Sequence, residues 1–274
     1  MPAGRRCRQR TLESIPGRAP VASMLPPPRA AQVAPGSFRR ILLAMRLTHA
    51  WLVIVDISGY TAFIHERQTS LLHAEQIITE LMESVLDRAT HPLNVNKLEG
   101  DAALMYAETA PGDVAAGQDV LAQVKAFFPV FASCLGKQRA ERSGCGCEAC
   151  SGIDKLRLKA FVHVGEMAVK QVRQFEELAG EPVIFVHRLL KNRVAQREYV
   201  LLSEAARAAA GLDPGLLEAH EEELDGVGRA QLWLCSAEGL PFELPPVAVT
   251  VAKPLERPPA RGLGGLLRTW FGGR

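Results

Sequence analysis

The sequence lacks long hydrophobic runs, and this absence argues against a membrane-spanning helix. Its longest apolar runs, such as Trp51–Val55 and Ile41–Met45, are much shorter than the ~20 residues that such a helix needs. The hydrophobic core of a secretory signal is not visible either. We therefore expect a soluble, cytoplasmic protein without a transmembrane segment.

The middle of the chain lacks an excess of basic residues, which argues against nucleic acid as its main partner. The whole chain has a net charge of +2, but residues 1–46 contain nine Arg and one Glu, and residues 253–274 contain five basic residues and one Glu. Residues 47–252 therefore carry a net charge of −10. Nucleic-acid backbones select basic surfaces, so an acidic domain predicts a different kind of partner.

The two ends of the chain lack the periodic patterns of helices and strands. Residues 1–46 are rich in Arg and Pro, and we expect a disordered basic segment there; a transit peptide, or a start of translation at Met45, are the alternatives. Residues 47–240 are expected to form one domain. Residues 241–274 form a basic tail rich in Pro and Gly, which is either free or in weak amphipathic contact with a membrane surface or a partner.

The six cysteines are not spread along the chain as a disulfide framework would require. Cys145, Cys147 and Cys150 lie within six residues, and Cys134 lies eleven residues before the first of them. Thiolates at such short spacings can hold a tetrahedral metal ion. The hypothesis is a structural Zn²⁺ site of these four residues in a Cys-rich insertion at 134–150, with reduced surface thiols and a redox switch as alternatives.

Hydrophobic periodicity predicts a mixed α/β fold. Strands are predicted at 51–57, 93–98, 102–107, 156–164, 167–172, 199–202 and 230–235, and helices at 69–90, 113–131, 183–191 and 203–210. In this order the elements predict helices packed against a largely antiparallel sheet. Two hairpins are expected, one around Gly100 and one around Gly165.

Two aspartates give the most specific functional signal. Asp56 begins the segment Asp56–Thr61 (DISGYT) at the end of an apolar strand, and Asp101 ends the segment Lys97–Asp101 (KLEGD), 45 residues later. Carboxylates brought together at strand ends can hold a hard divalent cation, and the amides of a glycine turn can meet phosphate. The pair therefore predicts a metal–nucleotide site, although each aspartate alone would also fit as a turn residue.

These segments, followed by Gly180, Val183 and Arg188, resemble the signature segments of class III nucleotidyl cyclase catalytic domains in order and spacing. The pattern is most similar to a bacterial group of adenylate-cyclase-related proteins, the DUF2652 type, and covers residues 50–236. The resemblance implies a ferredoxin-like α/β (α+β) sandwich with a largely antiparallel sheet flanked by helices. It also implies the conversion of ATP to cyclic AMP and diphosphate, with Mg²⁺ or Mn²⁺ ions in a site at the interface of a homodimer.

The resemblance assigns each matching residue a role in that reaction. The metal ligands would be Asp56, Asp101 and the carbonyl of Ile57. The triphosphate would meet the turn of Gly59, Tyr60 and Thr61. Lys97 and Glu177 would read the adenine base, and Arg188 would stabilise the transition state. A lysine can donate to adenine N1 while a carboxylate accepts from its amine, and arginine offers a planar fork to phosphoryl oxygens.

Two positions depart from the pattern of the family. Ile184 stands where an asparagine is expected, four residues before Arg188, and Asp225 stands where a phosphate-binding lysine is expected. Losing one oriented donor typically costs about 2.7–4 kcal/mol, or a factor of roughly 100–1000 in rate. A degenerate nucleotide-binding or regulatory module therefore remains an alternative to the enzyme, unless Arg229 replaces the lysine.

Simpler roles also fit several of these residues. Lys97 and Glu177 could be surface charges, and Arg188 could pair with a structural acid such as Glu181. The histidines have no metal-like spacing and are expected on the surface or in the core: His73, His163 and His187. A zinc-stabilised scaffold without a nucleotide is the third class of function that the sequence leaves open.

Overall fold

The computed structural model describes residues 45–60, 63 and 71–244 of the chain. The predictions for residues 1–44 and 245–274, which include the amphipathic tail and almost all of the disordered segment, lie outside this range. The first strand begins at Met45 and so includes the last two residues of the segment that was expected to be disordered.

Eight strands form one sheet, and the predicted largely antiparallel α/β fold is confirmed. The strands are β1 (Met45–Ser58), β2 (Asn94–Glu99), β3 (Ala102–Glu108), β4 (Arg157–Val172), β5 (Phe175–Ala179), β6 (Tyr199–Ser203), β7 (Glu218–Leu224) and β8 (Gly228–Cys235). Their order is β2-β3-β1-β4-β6-β8-β7, and β5 pairs with β4. The β4–β6 pair is parallel, and the other pairs of these strands are antiparallel.

Within the described residues, five helices flank this sheet, together with the short 3-10 turns Ile153–Lys155 and Pro214–Leu216. The helices are α1 (Leu71–Leu86), α2 (Val114–Glu141), α3 (Glu148–Gly152), α4 (Glu181–Leu189) and α5 (Glu204–Ala209). Side chains close several of their ends, because the terminal backbone groups lack partners within a helix. Ser203 accepts from the amide of Ala206 at the start of α5, and Asn192 donates to the carbonyl of Leu189 at the end of α4.

The central strand β1 is buried on both faces, which explains why its sequence is apolar rather than alternating. Trp51, Val53 and Val55 lie in the core that includes α1 and α2, whereas Leu52 and Ile54 lie in the core that includes α4. Side chains alternate along a strand, so the next residue in the second series, Asp56, is placed on the α4 side of the sheet.

Helix α2 is the longest helix of the described part of the chain. By length and composition it is the one described helix that could cross a membrane. Its buried residues, which include Val120, Leu121, Phe127 and Phe131, pack in the core of the domain instead. The helix extends ten residues beyond its predicted end at 131, so Cys134 is a helical residue rather than the start of a Cys-rich loop.

The predicted hairpin around Gly165 is wrong. Residues 157–172 form one continuous strand, and the chain turns back only after Val172, into β5. Gly165 serves close packing, because a Cβ atom at this position would lie 2.6 Å from Cγ of Pro182 at the start of α4. A glycine required by a helix that packs on a strand thus resembles a turn glycine in the sequence.

The edge strand β7 is not predicted from the sequence. Its residues 218–224 are mostly charged, and of them only Glu222 and Leu224 are buried. Glu222 accepts from the backbone amide of Arg193 and from the ring of His220, which compensates the burial of its charge. Charged edge strands lack the apolar alternation by which strands are recognised, and they protect a sheet from edge-to-edge association.

The close contact between α2 and β1 gives a prediction. A Cβ atom at Gly117 would lie 2.3 Å from Cζ2 of the buried Trp51, whereas a Cβ atom at Gly136 would meet nothing within 4 Å. We expect Gly117→Ala to lower the free energy of unfolding by about 1–3 kcal/mol through overpacking. Gly136→Ala, the control in the same helix, should raise it by roughly 0.5–1 kcal/mol. Urea denaturation measures both, and equal effects would contradict this account of the packing.

Candidate functional site

The structure brings Asp56 and Asp101 together at one end of β1. Asp56 lies opposite Ala102 in the register of β1 with β3, and the amide of Ile57 donates to the carbonyl of Asp101 at 3.1 Å. Burial raises the pKa of Asp56. Burial and the charge of Asp56 raise the pKa of Asp101 to about 6. Two half-buried carboxylates that repel each other form a site that a cation would stabilise.

A lysine that the sequence analysis does not single out lies beside this pair. Lys159 on β4 is opposite Asp56 in the register, and its Nζ atom lies 3.9 Å from Oδ2 of Asp56. Its charge opposes the rise in the pKa of both Asp56 and Asp101. The ammonium group also lies 5.9 Å from the ring centroid of Tyr199. The signal in the sequence is a charged residue between the apolar residues Leu158 and Ala160.

The turn after β1 places Gly59 and Tyr60 next to the aspartates. Gly59 has φ of 94°, a backbone conformation that favours glycine, and the guanidinium group of Arg197 lies 2.7 Å from where a Cβ atom would be. The hydroxyl of Tyr60 donates to Glu75 on α1 at 3.2 Å. Thr61 lies outside the described residues, and the metal-binding role of the Ile57 carbonyl stays a prediction.

The two residues expected to read the base lie near each other. Nζ of Lys97 on β2 is 4.0 Å from Oε2 of Glu177 on β5, and 3.2 Å from Oε1 of Glu99. Nε2 of His187 on α4 lies 3.1 Å from Oε2 of Glu99, so helix and hairpin are joined at this point. The sequence predicts only that His187 lies on the surface or in the core, and it gives no sign of this contact with Glu99.

Arg188 forms an ion pair with Asp225, the residue that stands where the family has a phosphate-binding lysine. Nη1 of Arg188 lies 3.4 Å from Oδ2 of Asp225 in the turn between β7 and β8. The partner is therefore Asp225 rather than Glu181. Nε of Arg188 is buried without a hydrogen-bond partner among the described residues. The arginine that the resemblance assigns to the transition state is thus paired with the carboxylate that stands where the family has a lysine.

The structure also places Ile184 and Arg229, the other two residues named in the departures from the family pattern. Ile184 lies one helical turn before Arg188, and its side chain is 54% exposed, so it offers an apolar surface where an amide donor is expected. Arg229 pairs with Glu221 across β7 and β8. Arg229, the suggested substitute for the lysine, is therefore already paired with a carboxylate.

The cysteine cluster gains a member and loses one. Cys145, Cys147 and Cys150 lie together with His73 of α1, and the ligand atoms of these four residues are within 4.8 Å of one another. Cys134, the expected fourth ligand, is bonded elsewhere: its thiol donates to the carbonyl of Glu80 at 3.6 Å. The expectation that Cys134 completes the cluster is therefore wrong, because α1 brings His73 from 72 residues before Cys145. His73 is exposed, as expected, although its place beside the cysteines is not predicted from the sequence.

Comparison with known proteins agrees with the expected resemblance. Residues 78–199 match the family described as "Protein of unknown function (DUF2652)". "Uncharacterized protein Rv2561/Rv2562" of Mycobacterium tuberculosis is 35% identical over 127 residues. That match covers 46% of this chain and 57% of the relative, so the chain spans only part of the relative's length.

Solved structures confirm the cyclase fold. The adenylyl cyclase CyaB from P. aeruginosa has a TM-score of 0.51 at 13% identity, over 69% of this chain and 94% of that chain. The guanylyl cyclase Cya2 has a TM-score of 0.50 at 15% identity, over 69% and 91%. The chain therefore has the fold of class III nucleotidyl cyclase catalytic domains, and at this identity the likeness concerns the fold alone.

The raised pKa of Asp101 predicts a pH-dependent stability. A carboxyl group with a folded pKa of about 6, above its ordinary value of 3.8, contributes stability below pH 4 that is lost as the pH rises through 6. At pH 8 without divalent cations, the free energy of unfolding of Asp101→Asn should therefore exceed that of the wild type by roughly 1–2 kcal/mol. Urea denaturation measures this difference. The difference should shrink at pH 4.

The exposed Asp119 of α2 provides the matched control. Asp119→Asn should follow the wild type at both pH values. A stability of Asp101→Asn equal to that of the wild type at pH 8 would contradict the proposed repulsion between Asp56 and Asp101.

Proposed function

We propose that this chain binds ATP with divalent cations between two copies of itself, and converts it slowly to cyclic AMP and diphosphate. The observation that carries the proposal is the half-buried pair of Asp56 and Asp101 beside the Gly59 turn, together with the contact of Lys97 with Glu177. The first group suits a metal and phosphates, and the second suits adenine. The five free cysteines of the described part are consistent with work in the cytoplasm.

The residues present fit a divalent cation. Asp56 and Asp101 carry two charges when ionised, and Lys159 at 3.9 Å from Asp56 supplies one positive charge. Burial first, and then the charge of Asp56, raises the pKa of Asp101. Mg²⁺ or Mn²⁺ held by these carboxylates would lower the pKa of the attacking hydroxyl and neutralise the phosphates. Lys159 would remain beside the ions as a fixed positive charge.

The reaction needs one bond to form and one to break. The ribose 3′-oxygen attacks the α-phosphorus and loses its proton to water. The bond from that phosphorus to the bridging oxygen breaks, and diphosphate leaves with the electron pair. The chain would orient the base through Lys97 and Glu177, and Arg188 would stabilise charge on the phosphoryl oxygens. Arg188 can do so only when it leaves Asp225, which argues for a slow reaction.

A second copy of the chain is proposed to complete the site. In the class III family the metal-binding aspartates of one subunit face the base-reading residues and the arginine of the other. The side of this domain that carries α4 and the β4–β5 hairpin exposes Val172, Phe175 and Ile184. An apolar surface around the proposed site is suited to burial in a homodimer.

A second candidate function is nucleotide binding without turnover, as in a regulatory module. The pairing of Arg188 with Asp225 at 3.4 Å favours it, because the transition-state charge would compete with a permanent carboxylate. Ile184 favours it too, since an aliphatic side chain donates no hydrogen bond. Both candidates share the metal–nucleotide site and differ in the fate of the bound ATP.

The metal–nucleotide site is tested by binding and by product. We expect calorimetry to detect ATP binding that requires Mn²⁺ or Mg²⁺ and weakens at least tenfold, about 1.4 kcal/mol, in Asp56→Ala and Asp101→Ala. Asp119→Ala should bind as the wild type does. Slow formation of cyclic AMP favours the enzyme, and metal-dependent binding without product favours the regulatory module. Equal binding by all four proteins, or no binding, would contradict the proposed function.

The two departures from the family pattern can be reversed. Ile184→Asn together with Asp225→Lys should release Arg188 and restore two donors, and each donor is worth a factor of roughly 100–1000 in rate. We therefore expect cyclic AMP formation to rise at least 100-fold over the wild type. The control is Glu238→Lys, which makes the same charge change at an exposed residue away from the site. An unchanged rate in the double variant would contradict the assigned roles of residues 184 and 225.

A further inference from the structure

The cluster of His73, Cys145, Cys147 and Cys150 lies outside the proposed nucleotide site and has the dimensions of a single-metal centre. Nδ1 of His73 lies 3.5 Å from Sγ of Cys147 and 3.8 Å from Sγ of both Cys145 and Cys150. A tetrahedral zinc ion with ordinary bond lengths places a nitrogen ligand about 3.6 Å from each sulfur ligand. The three distances from Nδ1 of His73 to the sulfur atoms therefore match those of ligands around a single ion.

The chemistry of the four ligands selects zinc. Three thiolates and one imidazole form one of the common sets for structural zinc, and all four positions are filled by the protein. A cluster of several metal ions would hold its ligands farther apart than the 4.8 Å limit that these atoms satisfy. Cations such as Mg²⁺ prefer oxygen ligands, so this centre and the Asp56–Asp101 pair would not compete for the same ion.

The surrounding structure supports the cluster as a built site. The amide of Cys150 donates to Sγ of Cys147 at 3.4 Å, a contact that stabilises a thiolate and fixes the loop. Arg142, at the end of α2, pairs with Glu80 of α1 at 3.1 Å. This ion pair joins α1 to the end of α2, three residues before Cys145.

The cluster connects parts of the chain that frame the turn after β1. His73 lies near the start of α1, two residues before Glu75, which accepts from Tyr60. On the other side, the Cys-bearing segment leads to Lys155, whose carbonyl accepts from Arg197 against Gly59. A metal ion here would tie the start of α1 to the connection between α2 and β4.

We propose that His73, Cys145, Cys147 and Cys150 bind one structural zinc ion that fixes the start of α1 to the α2–β4 connection. The site takes no part in the reaction proposed above, and it does not depend on that function. Cys134 lies on α2 and contacts Glu80, so it provides a matched cysteine control outside the site.

The test is the zinc content of the full chain, purified without chelators and measured by mass spectrometry. We expect about one zinc per chain in the wild type and in Cys134→Ser, and a large loss in Cys147→Ser, Cys150→Ser and His73→Ala. Replacement by Co²⁺ should give the thiolate charge-transfer and d–d bands of tetrahedral coordination in the wild type. Removal of the metal by a chelator should lower the melting temperature, and added Zn²⁺ should restore it.

Several results would overturn the proposal. A wild-type chain that contains no zinc and gains none on dialysis against Zn²⁺ would do so, as would zinc that is retained in Cys150→Ser or lost in Cys134→Ser. If the cluster variants fail to fold, the wild-type zinc content and the Co²⁺ spectrum still decide, because octahedral or thiolate-free bands would contradict the assigned ligands.

Discussion

The repulsion between the carboxylates of Asp56 and Asp101 is the constraint on which this account of the molecule depends. The fold places both at the end of β1, where burial raises the pKa of each. Folding brings these charges out of water and next to each other, which is unfavourable unless cations compensate them. The charged side chains around the pair therefore matter for how much positive charge the protein itself supplies and how much is left to a bound cation.

Two ion pairs near the proposed site use positive charge in different ways. Lys159 approaches Asp56 from the neighbouring strand and partly balances the aspartates. Arg188, in contrast, forms an ion pair with Asp225, whose side chain is 86% exposed. The first arrangement preserves a site for a cation, and the second restrains the side chain that a cyclase would need in its transition state. Retained binding with reduced turnover is the combination that these contacts favour.

Local patterns carried enough information for the fold and for the pairing of distant motifs. The apolar segment around Trp51 and the hairpin around Gly100 formed as predicted, so Asp56 and Asp101 met. The hairpin predicted at Gly165 is wrong because this glycine makes room for Pro182, and in the sequence such a glycine cannot be distinguished from one in a turn. Strand β7 was missed because its charges hide the period of two.

Contacts between residues far apart in the chain were the least predictable part of the site. Lys159 reaches Asp56 through strand register, and His73 joins the cysteines through the packing of α1, which spacing along the sequence does not reveal. The pairing of Arg188 with Asp225 depends on where the β7–β8 turn lies over α4. The residue types could be read from the sequence, and their partners required the fold.

The most direct test of the central claim is a crystal structure of the chain grown with Mn²⁺ and a non-hydrolysable ATP analogue. The account predicts anomalous density for manganese between the carboxylates of Asp56 and Asp101 of one copy, with the adenine base against Lys97 and Glu177 of a second copy. Manganese bound elsewhere, or an analogue that makes no contact with these four residues at saturating concentration, would contradict it.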